Sequence, residues 1–221
     1  MGSWLRSGVL AAVVVSAALS GSRALAQEET PAEGTGDPAR GRALSTTCFG
    51  CHGVPNYKNA FPVYSVPKLE GQHAEYIVSA LRAYKNGERS HMTMHSQASS
   101  LSEQDMADIA AYFAGEPLKA DDPPEGTAPA AGATCVACHG QNGVGIVGMY
   151  PTLAGQHEDY LIRALTDYKK GARKNAIMAP MAAPLSDADI RELARYYSQQ
   201  KPSLQTLPLR SSVLVSGRSV K

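Results

Sequence analysis

The chain has almost no net charge: 21 Lys and Arg stand against 20 Asp and Glu, a formal +1 over 221 residues. It shows no basic stripe, which removes the electrostatic footprint that nucleic-acid binding requires. It has no apolar run of the roughly 20 residues needed to span a bilayer. Cysteine is scarce. There are four, and none stands outside two short motifs. Alternating strand patterns are almost absent as well, so a sheet protein is not expected.

The longest apolar stretch lies at the start. Arg6 gives a short positive region, residues 8–19 are small and apolar, and Ala24-Leu25-Ala26 fits an A-x-A cleavage site. Residues 1–26 therefore read as a secretory signal, with the mature chain beginning at Gln27 and exported to the periplasm.

All four cysteines fall in Cys48-Phe49-Gly50-Cys51-His52 and Cys135-Val136-Ala137-Cys138-His139. Exported cysteines ordinarily pair as disulfides. A two-residue spacing makes a strained disulfide, however, and gives His52 and His139 no task. A Cys₄ zinc site joins pairs about 15–20 residues apart, whereas these motifs are offset by 87. The pentapeptide is the attachment site of a c-type haem: Cys48 and Cys51, like Cys135 and Cys138, form thioether bonds to the vinyl groups, and the histidine binds iron. Two covalent haems are expected, with His52 and His139 as one axial ligand each.

The chain also repeats itself. Pro67-Lys68-Leu69-Glu70-Gly71-Gln72-His73 matches Pro151-Thr152-Leu153-Ala154-Gly155-Gln156-His157 at an offset of 84. The match continues through Tyr76/Tyr160, Leu81/Leu165, Tyr84-Lys85/Tyr168-Lys169, Gly87/Gly171 and Leu101-Ser102/Leu185-Ser186. The first half carries three more residues between its haem motif and Pro67, an insertion of the kind a surface loop absorbs. The expected organisation is a first domain over 37–118, a linker over 119–131, a second domain over 132–200 and a polar basic tail over 201–221. Each half is small for an independent core, so a buried haem is a structural requirement as well as a functional one.

Helices are expected throughout. The first covers 37–46, with Pro38 where its missing N–H costs nothing. Residues 74–85 place Tyr76, Ile77, Ala80, Leu81 and Tyr84 on one helical stripe, closed by Asn86-Gly87. Tyr160, Leu161, Ala164, Leu165 and Tyr168 repeat the stripe, closed by Gly171. The last helix of each half opens with a capping box, at Ser102 and at Ser186. The opening helix of the second half is weakly signalled, because Pro129-Ala130-Ala131-Gly132 is poor helix material.

The second axial ligand separates electron transfer from catalysis, since an open sixth position binds small molecules. Candidates are His91, Met92, Met94 and His95 in the first half, and Met178 and Met181 in the second. At the offset of 84, Met94 falls on Met178, while Met92 falls on Ala176 and Met181 on Gln97. One methionine pair survives, eight residues before each capping serine, and Met94 and Met178 are the expected ligands. His95 stays a rival to Met94 at the first site. His73 and His157 read as helix-start residues bonding locally.

Taken together, the two pentapeptides, the Pro-x-Leu-x-Gly-Gln motif, the Tyr-Lys-x-Gly stop and the methionine spacing resemble the cytochrome c4 family, dihaem two-domain class I c-type cytochromes. The resemblance covers residues 37–198. It implies an all-α fold of two tandem cytochrome c domains packed face to face, each wrapped around one haem, with the haems close enough to exchange electrons. It implies His52/Met94 and His139/Met178 ligation, and proline carbonyls at Pro67 and Pro151 that accept a hydrogen bond from the haem histidines. It implies an electron carrier, not an enzyme, running between respiratory redox partners from a quinol-oxidising complex to a terminal oxidase. The alternative is a dihaem subunit serving a periplasmic dehydrogenase. Either role is compatible with peripheral association with the membrane.

Overall fold

A computed structural model describes residues 36–116 and 118–208. The expected signal, 1–26, and the end of the tail, 209–221, lie outside the described residues. In the first half the helices are α1 (Pro38–Leu44), α2 (Phe49–His52), α3 (Ala74–Lys85), α4 (Met92–Ala98) and α5 (Glu103–Ala114). In the second they are α6 (Val136–His139), α7 (Glu158–Lys169), α8 (Met178–Ala182) and α9 (Asp187–Ser198), preceded by a single 3-10 turn at Ala130–Gly132. Among the described residues there are isolated bridges but no strand, and no helix is long and apolar enough to cross a membrane.

Local chemistry sets the boundaries. The Asp37 carboxylate caps α1 by accepting from the Ala39 N–H at 2.8 Å. Both capping boxes form: Ser102 with Asp105 starts α5, and Ser186 with Asp189 starts α9. α3 spans the expected residues. Gly87 and Gly171, at φ +73° and +74°, follow the α3 and α7 ends in the left-handed region that glycine tolerates.

Two cores result. In the first, Ile77 and Leu81 of α3 pack with Phe49 and with Met106, Ile109 and Phe113 of α5. In the second, Leu161 of α7 packs with Ile190, Leu193 and Tyr197 of α9. The stripe residues Tyr76, Ala80 and Tyr84, and likewise Tyr160, Ala164 and Leu165, are only half-buried. They face cavities rather than core.

The halves differ at their entry. α1 crosses α5 so closely that a Cβ on Gly41 would stand 1.9 Å from the Asp108 carbonyl oxygen. The crossing is fixed by the fully buried Asp108 carboxylate, which accepts from the Asp37 N–H at 2.8 Å, from Gln104 Nε2 at 2.7 Å and from the Arg40 guanidinium. The second half has only its 3-10 turn there, as the weak sequence signal foreshadows.

The linker and tail are less free than their composition suggests. Gln200, buried, exchanges hydrogen bonds with the backbone of Glu125, and Asn142 donates to the Asp122 carbonyl. In the segment expected as a solvated tail, Leu204 is fully buried, Gln205 bridges to Glu70 and Leu207 packs on the first core. The apolar residues between the polar ones drive this docking. Residues 201–208 thus strap across both halves.

Burial pushes the Asp108 carboxyl up, but the Asp37, Arg40 and Gln104 donors outweigh it and hold it below the ordinary carboxylate range. The stability it supplies is therefore full above its unfolded pKa of about 4 and is lost as pH falls through the lower folded value. Asp108→Ala is expected to lower the melting temperature at neutral pH and to make the acid limb of the stability curve less steep. An unchanged acid limb in thermal melts between neutral and strongly acid pH contradicts that role.

Candidate functional site

Each half presents a cavity whose walls carry its motif residues. Cys48, Cys51, His52 and Met94 line the first. Cys135, His139 and Met178 line the second. All four cysteines are unpaired. The short helices α2 and α6 put each Cys-x-x-Cys-His on one turn; in the first half both thiols and the imidazole reach the cavity wall, in the second Cys135 and the imidazole do.

The histidines are oriented from behind. His52 Nδ1 lies 2.9 Å from the Pro67 carbonyl oxygen, and His139 Nδ1 lies 2.8 Å from that of Pro151. A carbonyl can only accept, so Nδ1 carries the proton and Nε2 is left with its lone pair, the form that binds metal. Burial lowers the pKa of both imidazoles, against the raising effect of the carbonyl bonds. Both are thus neutral imidazoles at pH 7.

The methionine segments α4 and α8 are also held by name. The Met94 N–H donates to His91 Nδ1 at 3.2 Å, and the Met178 N–H donates to Asn175 Oδ1 at 2.8 Å. His91 and Asn175 occupy equivalent repeat positions and cap equivalent turns. Sequence reading had placed His91 among the ligand candidates and had missed this role, although an Asn three residues before the methionine is an N-cap signal. Lys85 Nζ donates to the Leu101 carbonyl at 2.5 Å, and Lys169 Nζ does the same to Leu185. These bonds explain the Tyr-Lys-x-Gly motif: each lysine closes the loop that presents the methionine. The other candidates point elsewhere. Met92 is 89% exposed and Met181 46% exposed. His95 is exposed and its Nδ1 donates to the Tyr84 carbonyl at 2.8 Å. His73 stands at the start of α3 with its N–H bonded locally to Gln72 Oε1, as expected, but its Nε2 reaches across to the Gly145 carbonyl at 3.0 Å.

Between the cavities lies a cluster that sequence reading missed. Arg89 and Arg173, equivalent at the offset of 84, are both buried. Their Nη2 atoms donate to the Tyr76 hydroxyl oxygen at 2.8 and 2.7 Å. Tyr76 and Tyr160 border both cavities. Burial pushes Tyr76 up, yet the two guanidiniums outweigh it and bring its pKa to about 8. Among the described residues no carboxylate pairs with either arginine, and Arg173 Nε is buried without a partner. Buried cations without an anion are costly. A haem brings two propionates, an apolar ring and reactive vinyl groups. The unpartnered Arg173 Nε fits a propionate, and the apolar walls, motif cysteines and neutral imidazole of the two cavities fit the rest of the group.

The halves meet through matched contacts. Gln72 pairs with the backbone of Thr152, and Gln156 pairs with that of Lys68. Arg89 bridges to Arg173, and the Asp159 carboxylate accepts from Lys58 and from the Ser65 N–H and hydroxyl on the inserted loop.

Fold and cavities define a two-centre c-type cytochrome. The cytochrome c family model matches twice, at residues 38–115 and 125–201. The chain is 36% identical over 182 residues to cytochrome c4 from Pseudomonas aeruginosa, covering 75% of this chain and 89% of that one. The solved structure of reduced recombinant cytochrome c4 from Pseudomonas stutzeri superposes with a TM-score of 0.58 at 31% identity, covering 75% and 99%. A protein named thiosulfate dehydrogenase electron acceptor, from Stutzerimonas stutzeri, is 32% identical over 170 residues, covering 68% and 77%. The chain belongs to the cytochrome c4 family of dihaem electron-transfer proteins and carries two c-type haems, attached through Cys48/Cys51 and Cys135/Cys138.

A buried positive charge near an iron favours the ferrous state. Arg173→Met is therefore expected to lower the reduction potential of at least one haem by on the order of 1 kcal/mol, about 40 mV for one electron. Unchanged potentials in a redox titration of that variant contradict the electrostatic role assigned to the cluster.

Proposed function

We propose that the protein is a periplasmic electron carrier with two His/Met-ligated centres, His52/Met94 and His139/Met178. The observation that carries this reading is the meeting, on each cavity wall, of the motif histidine with one methionine of the repeat-matched pair. The rivals Met92, His95 and Met181 do not line these cavities. Each haem supplies an iron that cycles between ferric and ferrous. The thioethers of Met94 and Met178 favour the ferrous form and raise the potential. With His52/Met94 and His139/Met178 holding the two irons, neither centre would offer a site to a peroxide or similar substrate, which favours a carrier over a haem enzyme. Pro67 and Pro151 support the ligation by accepting from the histidines, which fixes the rings and raises their basicity.

The partners are redox proteins. The route from a quinol-oxidising complex to a terminal oxidase rests on the family, as does peripheral contact with a membrane. Export rests on residues 1–26. A second reading, acceptance of electrons from a periplasmic dehydrogenase, is favoured by the likeness to the thiosulfate dehydrogenase electron acceptor.

The ligand assignment is tested one haem at a time. Met94→Ala and Met178→Ala are each expected to abolish half of the ferric sulfur–iron charge-transfer band and to open one reduced haem to carbon monoxide. His95→Ala is expected to leave the band intact. A full band in both methionine variants contradicts the assignment.

A further inference from the structure

The peptide unit that holds each axial histidine has a second end. The Pro151 carbonyl accepts from His139 Nδ1 at 2.8 Å, and the N–H of that same peptide, on Thr152, donates across the interface to Gln72 Oε1 at 2.8 Å. The other half repeats the arrangement. The Pro67 carbonyl accepts from His52 Nδ1 at 2.9 Å, and the Lys68 N–H donates to Gln156 Oε1 at 3.0 Å. Each glutamine is locked in place. Gln72 Nε2 donates to the Thr152 carbonyl at 2.9 Å and Gln156 Nε2 to that of Lys68 at 3.0 Å. Each oxygen also accepts from the following histidine N–H, His73 or His157, at 3.1 Å. Both glutamines are 4% exposed, so water does not compete for these bonds.

We infer that Gln72 and Gln156 are crossed positioning residues, each tuning the reduction potential of the haem bound by the other half. An acceptor on a peptide N–H polarises the peptide and makes its carbonyl a stronger acceptor, because chained hydrogen bonds reinforce one another in a low dielectric. A stronger bond from Nδ1–H to that carbonyl increases the negative character of the ring and the electron density it gives to iron. Gln72 thus lowers the potential of the haem on His139, and Gln156 lowers that of the haem on His52. The crossing also joins the sites: a displacement of one half's glutamine is felt at the other half's ligand. This rests on the axial assignment proposed above.

The experiment compares Gln72→Met and Gln156→Met in the holoprotein. Both exchange a neutral side chain for another of similar length, so local net charge is unchanged. Each haem's potential is followed through its own paramagnetically shifted methyl resonances, assigned to a half by Met94→Ala and Met178→Ala. The expected result is a rise in the potential of the second-half haem in Gln72→Met and of the first-half haem in Gln156→Met, with the same-half haem little moved. Gln72→Glu keeps an oxygen acceptor for the Thr152 N–H and is expected not to show the rise. A shift confined to the same half, equal shifts of both haems, or no shift in either Met variant overturns the inference. Failure of the axial assignment would appear separately, as a persistent sulfur–iron band in the methionine variants. If Gln72→Met does not fold, Gln156→Met carries the same test in the opposite direction.

Discussion

The hydrogen bond from a motif histidine to a proline carbonyl is the contact on which the rest depends. His52 and Pro67, and His139 and Pro151, are brought together by it. It fixes the tautomer and turns Nε2 toward the cavity, while burial keeps the imidazole neutral. A histidine free to rotate or to protonate would be a poor iron ligand. The Pro-x-Leu segment must therefore be held firmly, and the structure holds it from the opposite side: Lys68 and Thr152, the residues following the prolines, are gripped by Gln156 and Gln72 of the other half. Interface and ligand support are one construction.

That construction explains why two small halves occur as one unit. Each core is modest, and each has its cavity against the partner half. The interface buries Arg89 and Arg173, cations that need the anions a haem brings. The bonds of Tyr76 to both guanidiniums place one hydroxyl between the two cavities. The cavities and the contact between the halves thus share residues.

Much of this was legible in the chain. The capping boxes at Ser102 and Ser186 and the stripe from Tyr76 to Tyr84 are local patterns, and local energetics decided them. The repeat offset picked out Met94 and Met178, and each lines the same cavity as its motif histidine. What could not be read was long-range. The motif Pro-x-Leu-x-Gly-Gln displays the glutamine but not that its partner is the same motif 84 residues away. The offset also matches Arg89 with Arg173, yet a surface helix end and a buried interface look alike in sequence. His91 resembled a ligand because its chemistry suits one; its use as a cap depends on the direction of the turn. Residues 201–208 read as a polar tail because the docking of Leu204 and Leu207 depends on surfaces formed far upstream.

The central claim is two electron-transfer centres in one protein, each closed by a methionine. A spectroelectrochemical titration of the intact holoprotein, followed by the ferric sulfur–iron band, tests it most directly. The account predicts two one-electron steps at high potential, each removing about half of the band, with no carbon monoxide complex in the fully reduced protein at neutral pH. A band that disappears entirely in one of the two steps, or a reduced haem that binds carbon monoxide, would contradict it.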